Sequence, residues 1–480
     1  MSLDPVHLLV IIPAAAAVLL AFLPGTRTTG YLNAFASCLT LLAALYLAWS
    51  GATRAGTYVL VDALNTIFLV LVTFVGFTTS VFSANYVAYE LGSGRVTPGF
   101  IRLYHALYQA LALAFNIALI SNNLGLLWVA IELATLITVI MVGIYRTSAA
   151  IEAAWKYFIL ASVGIALALF GTILLYMAAE RAVGPGLEAM VWTNLVAHAA
   201  ALEPAMLNLA FVFLLLGYGT KIGLFPLHAW LPDAHAEGPT PITAVLSGLL
   251  LNVALYALLR CKIVLTGNAG AFAPGPLMIG MGLVSLLFGA FMLYRRRDIK
   301  RLFAYSSIEH MGLITFAFGL GGPIANFAGL LHMVLHSLTK SAIFFAVGDI
   351  SQVKGTQKIA EMGGLTRTNP LIGWGLVVGV AAIAGLPPLG LFTSEFLLVS
   401  ATLSRHALLA IPLVLGLLVA IGALFLQLNA IAFGEPKGAN HKAECSYAPM
   451  FVHLALVVLA GIALPAAVVA LFETVAKLLG

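Results

Sequence analysis

The chain has 480 residues, of which 62% are hydrophobic and 9% charged, with a formal net charge of +5. An average soluble domain is about 45–50% apolar and about 25% charged. Together with a mean hydropathy of +1.06, this excludes a soluble enzyme and a nucleic-acid-binding protein and predicts a polytopic membrane protein. No charge run, long Gly/Ser linker or low-complexity tract divides the chain, so it reads as one transmembrane domain. Cys38, Cys261 and Cys445 are far apart and form no CxxC. That argues against a disulfide frame, a zinc site or an iron–sulfur cluster, so no cofactor or metal is expected and any redox chemistry belongs to another chain. Met1 to Pro24 lacks a basic leader and reads as a retained first helix.

Apolar segments long enough to span, about 20 residues each, fall near 5–23, 30–50, 60–86, 105–120, 122–145, 153–178, 205–231, 240–261, 275–294, 301–320, 323–347, 371–399, 406–433 and 449–474. The expected fold class is therefore an all-α membrane protein of about fourteen transmembrane helices. Only Ser121, Asn122 and Asn123 separate the fourth span from the fifth. Ends and loops next to odd-numbered spans hold fifteen lysines and arginines, against six on the opposite side. By the positive-inside rule the first group is cytoplasmic and both termini are extracytoplasmic, in the cell inner membrane.

Glu132 lies in Leu-Leu-Trp-Val-Ala-Ile-Glu132-Leu-Ala-Thr-Leu-Ile, in the fifth span. Burial favours its neutral acid, a nearby cation the carboxylate. Lys221 is the candidate partner, and a neutral acid hydrogen-bonded within the bundle is the alternative. Lys221 sits in the seventh span, within Gly217-Tyr-Gly-Thr-Lys221-Ile-Gly-Leu-Phe-Pro226-Leu-His228-Ala-Trp-Leu-Pro-Asp233-Ala-His235. A centrally placed lysine costs about 2.5–3.5 kcal/mol on insertion scales, so it usually faces a wet cavity or a partner. Gly217, Gly219, Gly223 and Pro226 weaken the helix around it. Freed backbone groups at membrane depth are tolerated only against protein or water, and transporters build ion sites from such broken helices. The alternative is a kinked structural helix whose lysine reaches a headgroup. His228, Asp233 and His235 follow the break as mouth residues or as simple loop residues.

Further on, Arg295-Arg-Arg-Asp-Ile-Lys-Arg301 marks either an anionic-lipid or partner surface or a topology anchor. Glu309-His310, about two turns into the tenth span, is either a cytoplasmic proton mouth or an interfacial hydrogen-bonded pair. His332, His336 and Lys340, at i, i+4 and i+8, share one face of the eleventh span. Such a stripe can relay protons; packing histidines and, less simply, a zinc site without an evident third ligand are the alternatives. Gly385-Leu-Pro387-Pro388-Leu389 in the twelfth span echoes Gly223-Leu-Phe-Pro226-Leu227, and each is accompanied by one buried charge, Glu395 or Lys221. Five spans separate the two. An odd offset reverses topology, so residues 105–261 and 275–433 are expected to form two inverted five-helix repeats with broken helices 7 and 12. Residues 1–100 hold the first three helices, and 449–474 the C-terminal one.

These residues together resemble the antiporter-like membrane subunits shared by respiratory complex I, multisubunit cation/proton antiporters and energy-converting hydrogenases. The most specific pieces are Glu132-Leu-Ala-Thr-Leu, Gly219-Thr-Lys221-Ile-Gly with Pro226 to His235, Asp298-Ile-Lys-Arg-Leu-Phe-Ala-Tyr-Ser-Ser307, and Gly385-Leu-Pro-Pro388 leading to Glu395. Ser306 to Gly312 and Leu249-Leu-Leu-Asn252-Val-Ala-Leu-Tyr look most like the hydrogenase-4 component F branch. The resemblance implies that Glu132 and Lys221 form a first-half ion pair, that Lys340 with His332 and His336 is the central relay, and that Glu395 is the terminal residue. Asn252 departs from subunits that carry a titratable residue there, so water or another side chain must bridge the halves. No long lateral helix is expected after the last span. The expected function is proton (or sodium) translocation within a redox complex, with antiporter-like paralogues, a peripheral hydrogenase or dehydrogenase arm and lipids as partners. A subunit of a cation/proton antiporter or of an NADH-quinone oxidoreductase is the alternative. A stand-alone permease is disfavoured because the buried polar set is almost wholly titratable.

Overall fold

The computed structural model describes residues 4–480; Met1 to Leu3 of the expected first-helix region lie outside the described residues. The chain folds into helices α1 (Pro5–Phe22), α2 (Arg27–Ser50), α3 (Ala63–Gly92), α4 (Pro98–Ile120), α5 (Leu124–Val142), α6 (Ser148–Val183), α7 (Trp192–Ala197), α8 (Pro204–Ile222), α9 (Trp230–Glu237), α10 (Thr240–Val245), α11 (Leu251–Thr266), α12 (Gly275–Met292), α13 (Ile299–Leu320), α14 (Gly322–Lys354), α15 (Leu365–Thr368), α16 (Pro370–Ile383), α17 (Gly390–Leu428), α18 (Tyr447–Ile462) and α19 (Ala466–Leu478). A two-residue hairpin, Arg54–Ala55 against Leu60–Val61, is the one small sheet among them.

Local chemistry sets most of the helix starts. Asp4, Asp62, Thr97, Asn123, Thr147, Glu203 and Asp298 each accept a hydrogen bond from a free N–H of the helix that follows. Pro5, Pro98, Pro204 and Pro370 stand in first turns, where a missing N–H costs nothing. The boundary between the fourth and fifth spans falls at Ser121 to Asn123, where the Asn123 side chain accepts from the N–H groups of Gly125 and Leu126.

Among the described residues, eleven helices are long and apolar enough to cross a membrane, or twelve if α18 and α19 together make one span. The two other expected spans are α13 and the stretch across α16 and the start of α17. Ser306, Ser307, Glu309 and His310 make α13 polar, yet nearly all of it is buried. The expected twelfth span is broken after Ile383, and α17 restarts at Gly390. It then runs through a kink at His406 (φ −145°, ψ 69°) into the expected thirteenth. The last expected span, 449–474, is not one helix: α18 and α19 meet at 80°. Pro465 accounts for this, since it has no N–H to donate and disfavours helix at Leu464.

Glycines let four helices approach closely. A Cβ at Gly217 on α8 would sit 2.5 Å from the Ala168 backbone nitrogen on α6, and one at Gly164 on α6 would sit 2.6 Å from Thr220. Gly282 and Gly312 join α12 to α13 in the same way, each with a carbonyl of the other helix 2.6 Å from where a Cβ would stand. These contacts fix the faces that carry the polar residues described next.

Candidate proton-transfer site

In the first half, α8 ends at Ile222 and is capped by Gly223 in the left-handed conformation (φ +82°). The chain then passes through a cis Phe225–Pro226 bond into α9. Lys221 is fully buried, and its Nζ has no hydrogen-bond partner among the described residues. It lies 5.1 Å from the centroid of the Tyr157 ring on α6. Tyr157 is held in turn by Thr138 Oγ1 at 2.9 Å and by stacking on Trp230, with centroids 4.3 Å apart. Trp230 Nε1 donates to the Thr220 carbonyl at 2.8 Å, which ties α9 back to the end of α8. Glu132 on α5 is half-buried, and one of its oxygens is enclosed without a partner. No ion pair within 4.0 Å joins Glu132 to Lys221; the Lys221 ammonium stands over the Tyr157 ring, with Glu132 as its nearby acidic group.

The halves meet at α11 and α14. A π-helical turn, Leu246–Leu250, joins α10 to α11, a distortion frequent at functional sites. Beside it Asn252 Nδ2 donates to Ser337 Oγ on α14 at 2.6 Å and to the Gly248 carbonyl at 2.8 Å. Ser247 and Ser307 Oγ atoms are 2.7 Å apart. Asn252 therefore links the two halves through the Ser337 hydroxyl, with no titratable side chain of its own.

The second half holds a buried cluster, part of it hydrogen-bonded. His310 Nδ1 lies 2.9 Å from His332 Nε2, and His332 Nδ1 lies 2.9 Å from Ser394 Oγ at the start of α17. The His336 ring is 5.4 Å from that of His310, and both its nitrogens are unpartnered. One turn on, Lys340 Nζ donates to the Phe303 carbonyl at 2.8 Å and faces the Phe303 ring at 5.6 Å. Glu309 is buried, with one oxygen 3.1 Å from His310 Nε2 but not aligned for a hydrogen bond. Glu395 packs onto the backbone of Gly385, whose left-handed conformation (φ +65°) leaves room where a Cβ would stand 2.1 Å from the carboxylate. Donor atoms of His310, His332 and Glu395 come within 4.8 Å of one another, a group drawn from α13, α14 and α17 that does not include His336, the other histidine of the HxxxH pair. Two of the ring nitrogens are already engaged with each other and a third with Ser394. These contacts join His310, His332 and Ser394 end to end.

Two expected positions change. Glu309 and His310 are buried within the bundle rather than at its surface. Ten residues at about 1.5 Å rise place Glu309 about 15 Å into α13, half of a hydrocarbon core of about 30 Å, where both are buried against α14. His235 is no loop residue either: it is buried on α9, with Nδ1 2.9 Å from the Leu231 carbonyl, Nε2 unpartnered and its ring 5.6 Å from Phe344. Asp233 does lie near the surface, ion-paired to Arg301 and, at 3.3 Å, to Lys156. His228 packs among Phe225, Phe288 and Tyr305. The reading of the residues missed Ser394 and Ser337, because serines give no periodic signal, and Lys300, a buried lysine that donates to the Gly238 carbonyl at 2.8 Å.

The family described as NADH:quinone oxidoreductase/Mrp antiporter, transmembrane, matches residues 121–419, a stretch that contains the candidate residues from Glu132 to Glu395. The chain belongs to this family. The antiporter-like subunit is 57% identical over 470 residues, 98% of each chain, to a hydrogenase-4 component F homolog of Methylacidiphilum infernorum (isolate V4). Its fold matches a chain of the membrane-bound sulfane sulfur reductase, an archaeal respiratory membrane complex, with TM-score 0.88, 22% identity and coverage of 99% and 97%. It also matches a chain of the Mrp complex from Dietzia sp. DQ12-45-1b, with TM-score 0.85, 20% identity and coverage of 100% and 97%. At such identity these two likenesses speak for the fold alone. The antiporter-like subunit is thus a multi-pass membrane protein of this family.

Proposed function

We propose that the antiporter-like subunit moves protons across the cell membrane inside a redox-driven complex of the hydrogenase-4 type, with electron transfer confined to other chains. The name of its 57% identical relative supports the type of complex. A peripheral hydrogenase or dehydrogenase arm and antiporter-like paralogues are then its neighbours. The observation that carries the proton assignment is the hydrogen-bonded row His310–His332–Ser394, with His336, Lys340, Glu309 and Glu395 buried beside it.

Each imidazole can accept a proton on one nitrogen and release one from the other, so the row transfers protons by bond exchange without moving a side chain far. Sodium would need a shell of oxygen ligands, whereas lysine and protonated histidine repel it. Lys221 and Lys340 each hold a proton away from any carboxylate within ion-pair distance, which keeps it exchangeable. Asn252 and Ser337 cannot store charge, so water must complete the step between Lys221 and Lys340. Glu395, at the broken start of α17, is the residue we assign to release.

The two breaks support the inverted-repeat reading of 105–261 and 275–433, since both begin on a left-handed glycine, Gly223 or Gly385. The excess of basic residues at one end supports extracytoplasmic termini. The test is a proteoliposome carrying the assembled complex. Redox turnover should acidify one side in sodium-free buffer at an undiminished rate, and a rate that falls to zero without sodium would reverse the ion assignment.

A further inference from the structure

Where α1 ends and α4 begins, a cavity of about 610 Å³ opens at the end of the bundle. Ala21, Leu103 and Ala106 contribute to its apolar wall, and Arg95, Arg102 and Arg146 stand at it. The arginines come from three places: Arg95 from the α3–α4 loop, Arg102 from the first turns of α4, and Arg146 from the turn before α6. Arg102 and Arg146 form no ion pair with any carboxylate among the described residues, and Arg95 reaches only Glu90, at 3.5 Å. Arg146 is also the one non-glycine among the described residues with positive φ, +58°. An L-residue is strained there, and strain that persists at a cavity wall points to use of the side chain.

Arg102 and Arg146, two cations without a matching acid, beside Arg95, whose acid is Glu90, call for an anion. The cavity wall adds a second requirement, because it is partly apolar: Leu103 in it is exposed, and Leu19 and Phe22, on the same helix end as its Ala21, are exposed apolar side chains of a membrane-spanning helix. A water-soluble anion would leave that surface uncovered, whereas basic pockets between transmembrane helices take acidic lipid headgroups. We propose that this cavity binds an anionic phospholipid, with phosphate at Arg102 and Arg146 and acyl chains along the apolar wall. The site is separate from the buried relay and does not depend on its function.

The test uses the full-length chain, extracted from its membrane and delipidated in detergent, with phosphatidylglycerol and phosphatidylethanolamine added back and retention read by native mass spectrometry. Near an acidic surface each arginine contributes about fivefold in affinity, so Arg102→Gln with Arg146→Gln should lower phosphatidylglycerol retention about twenty-five-fold. Arg295→Gln with Arg297→Gln should leave it unchanged. Helical circular dichroism and gel filtration report folding, and Arg102→Lys with Arg146→Lys, which keeps the charge, should retain most of the lipid. Equal retention of the two lipids by the natural chain would overturn the proposal, as would unchanged retention in the glutamine pair or an equal loss in the Arg295/Arg297 pair. Displacement of the lipid by millimolar inorganic phosphate would reassign the cavity to a free anion.

Discussion

Replacing His332 by leucine should interrupt proton flow while leaving the subunit folded, because His332 is bonded on both sides of the row, to His310 and to Ser394, at 2.9 Å each. Leucine is of similar bulk but apolar, so it fills the position and keeps water out. Ser394 retains its bond to the Leu391 carbonyl at 2.8 Å, so the cost falls mainly on His310. Leaving one buried group unsatisfied costs about 1–3 kcal/mol. Alanine at the same position opens a hole instead, and large-to-alanine core changes cost about 2–5 kcal/mol. That hole is lined by polar atoms of His310, His336 and Ser394, enough to hold a bridging water. Stability should therefore rank leucine above alanine, and pumping should rank alanine above leucine. Packing alone would order both the same way. The assay is proton uptake per turnover in proteoliposomes containing the assembled complex, normalised to subunit abundance. Normal pumping by His332→Leu, or more pumping by leucine than by alanine, would refute the relay.

Lys340→Ala and Glu395→Gln should each reduce proton uptake far more than subunit abundance, since an apolar or neutral group packs at least as well in either place; normal pumping would remove that residue from the path. Glu132 and Lys221 are not in ion-pair contact, so their coupling should lie below the value of about 4 kcal/mol that applies to unit charges 4 Å apart at an effective dielectric of 20. A double-mutant cycle on pumping with Glu132→Gln and Lys221→Ala should still give non-additive losses, and strict additivity would end the idea of a paired switch. Gly217→Leu should displace α8 from α6, because even a Cβ stands 2.5 Å from the Ala168 nitrogen. Overpacking of this kind costs about 1–3 kcal/mol or more, read as a lower thermal midpoint of the purified subunit; an unchanged midpoint would show that the helices can part without cost.

Composition alone determined the all-helical membrane class, because hydrocarbon admits only apolar segments with internally bonded backbone. Spacing determined which face of α14 carries His332, His336 and Lys340, since four-residue steps recur on one side of a helix. The glycine and proline clusters marked both breaks, and buried charges marked Lys221 and Glu395. Other features depended on how the helices pack. Glu309 and His310 looked shallow when counted from one end of an apolar stretch, but packing against α14 and α17 places them in the middle of the row. Residue types alone suggest pairing Glu132 with Lys221, but their separation depends on packing, and the glycine contacts between α6 and α8 put Tyr157 beside the lysine as well. Ser394, Ser337 and the Phe303 carbonyl carry no sequence signal. A hydroxyl or backbone oxygen becomes part of a proton path only when another helix brings a titratable group within hydrogen-bond reach, and only tertiary structure decides that.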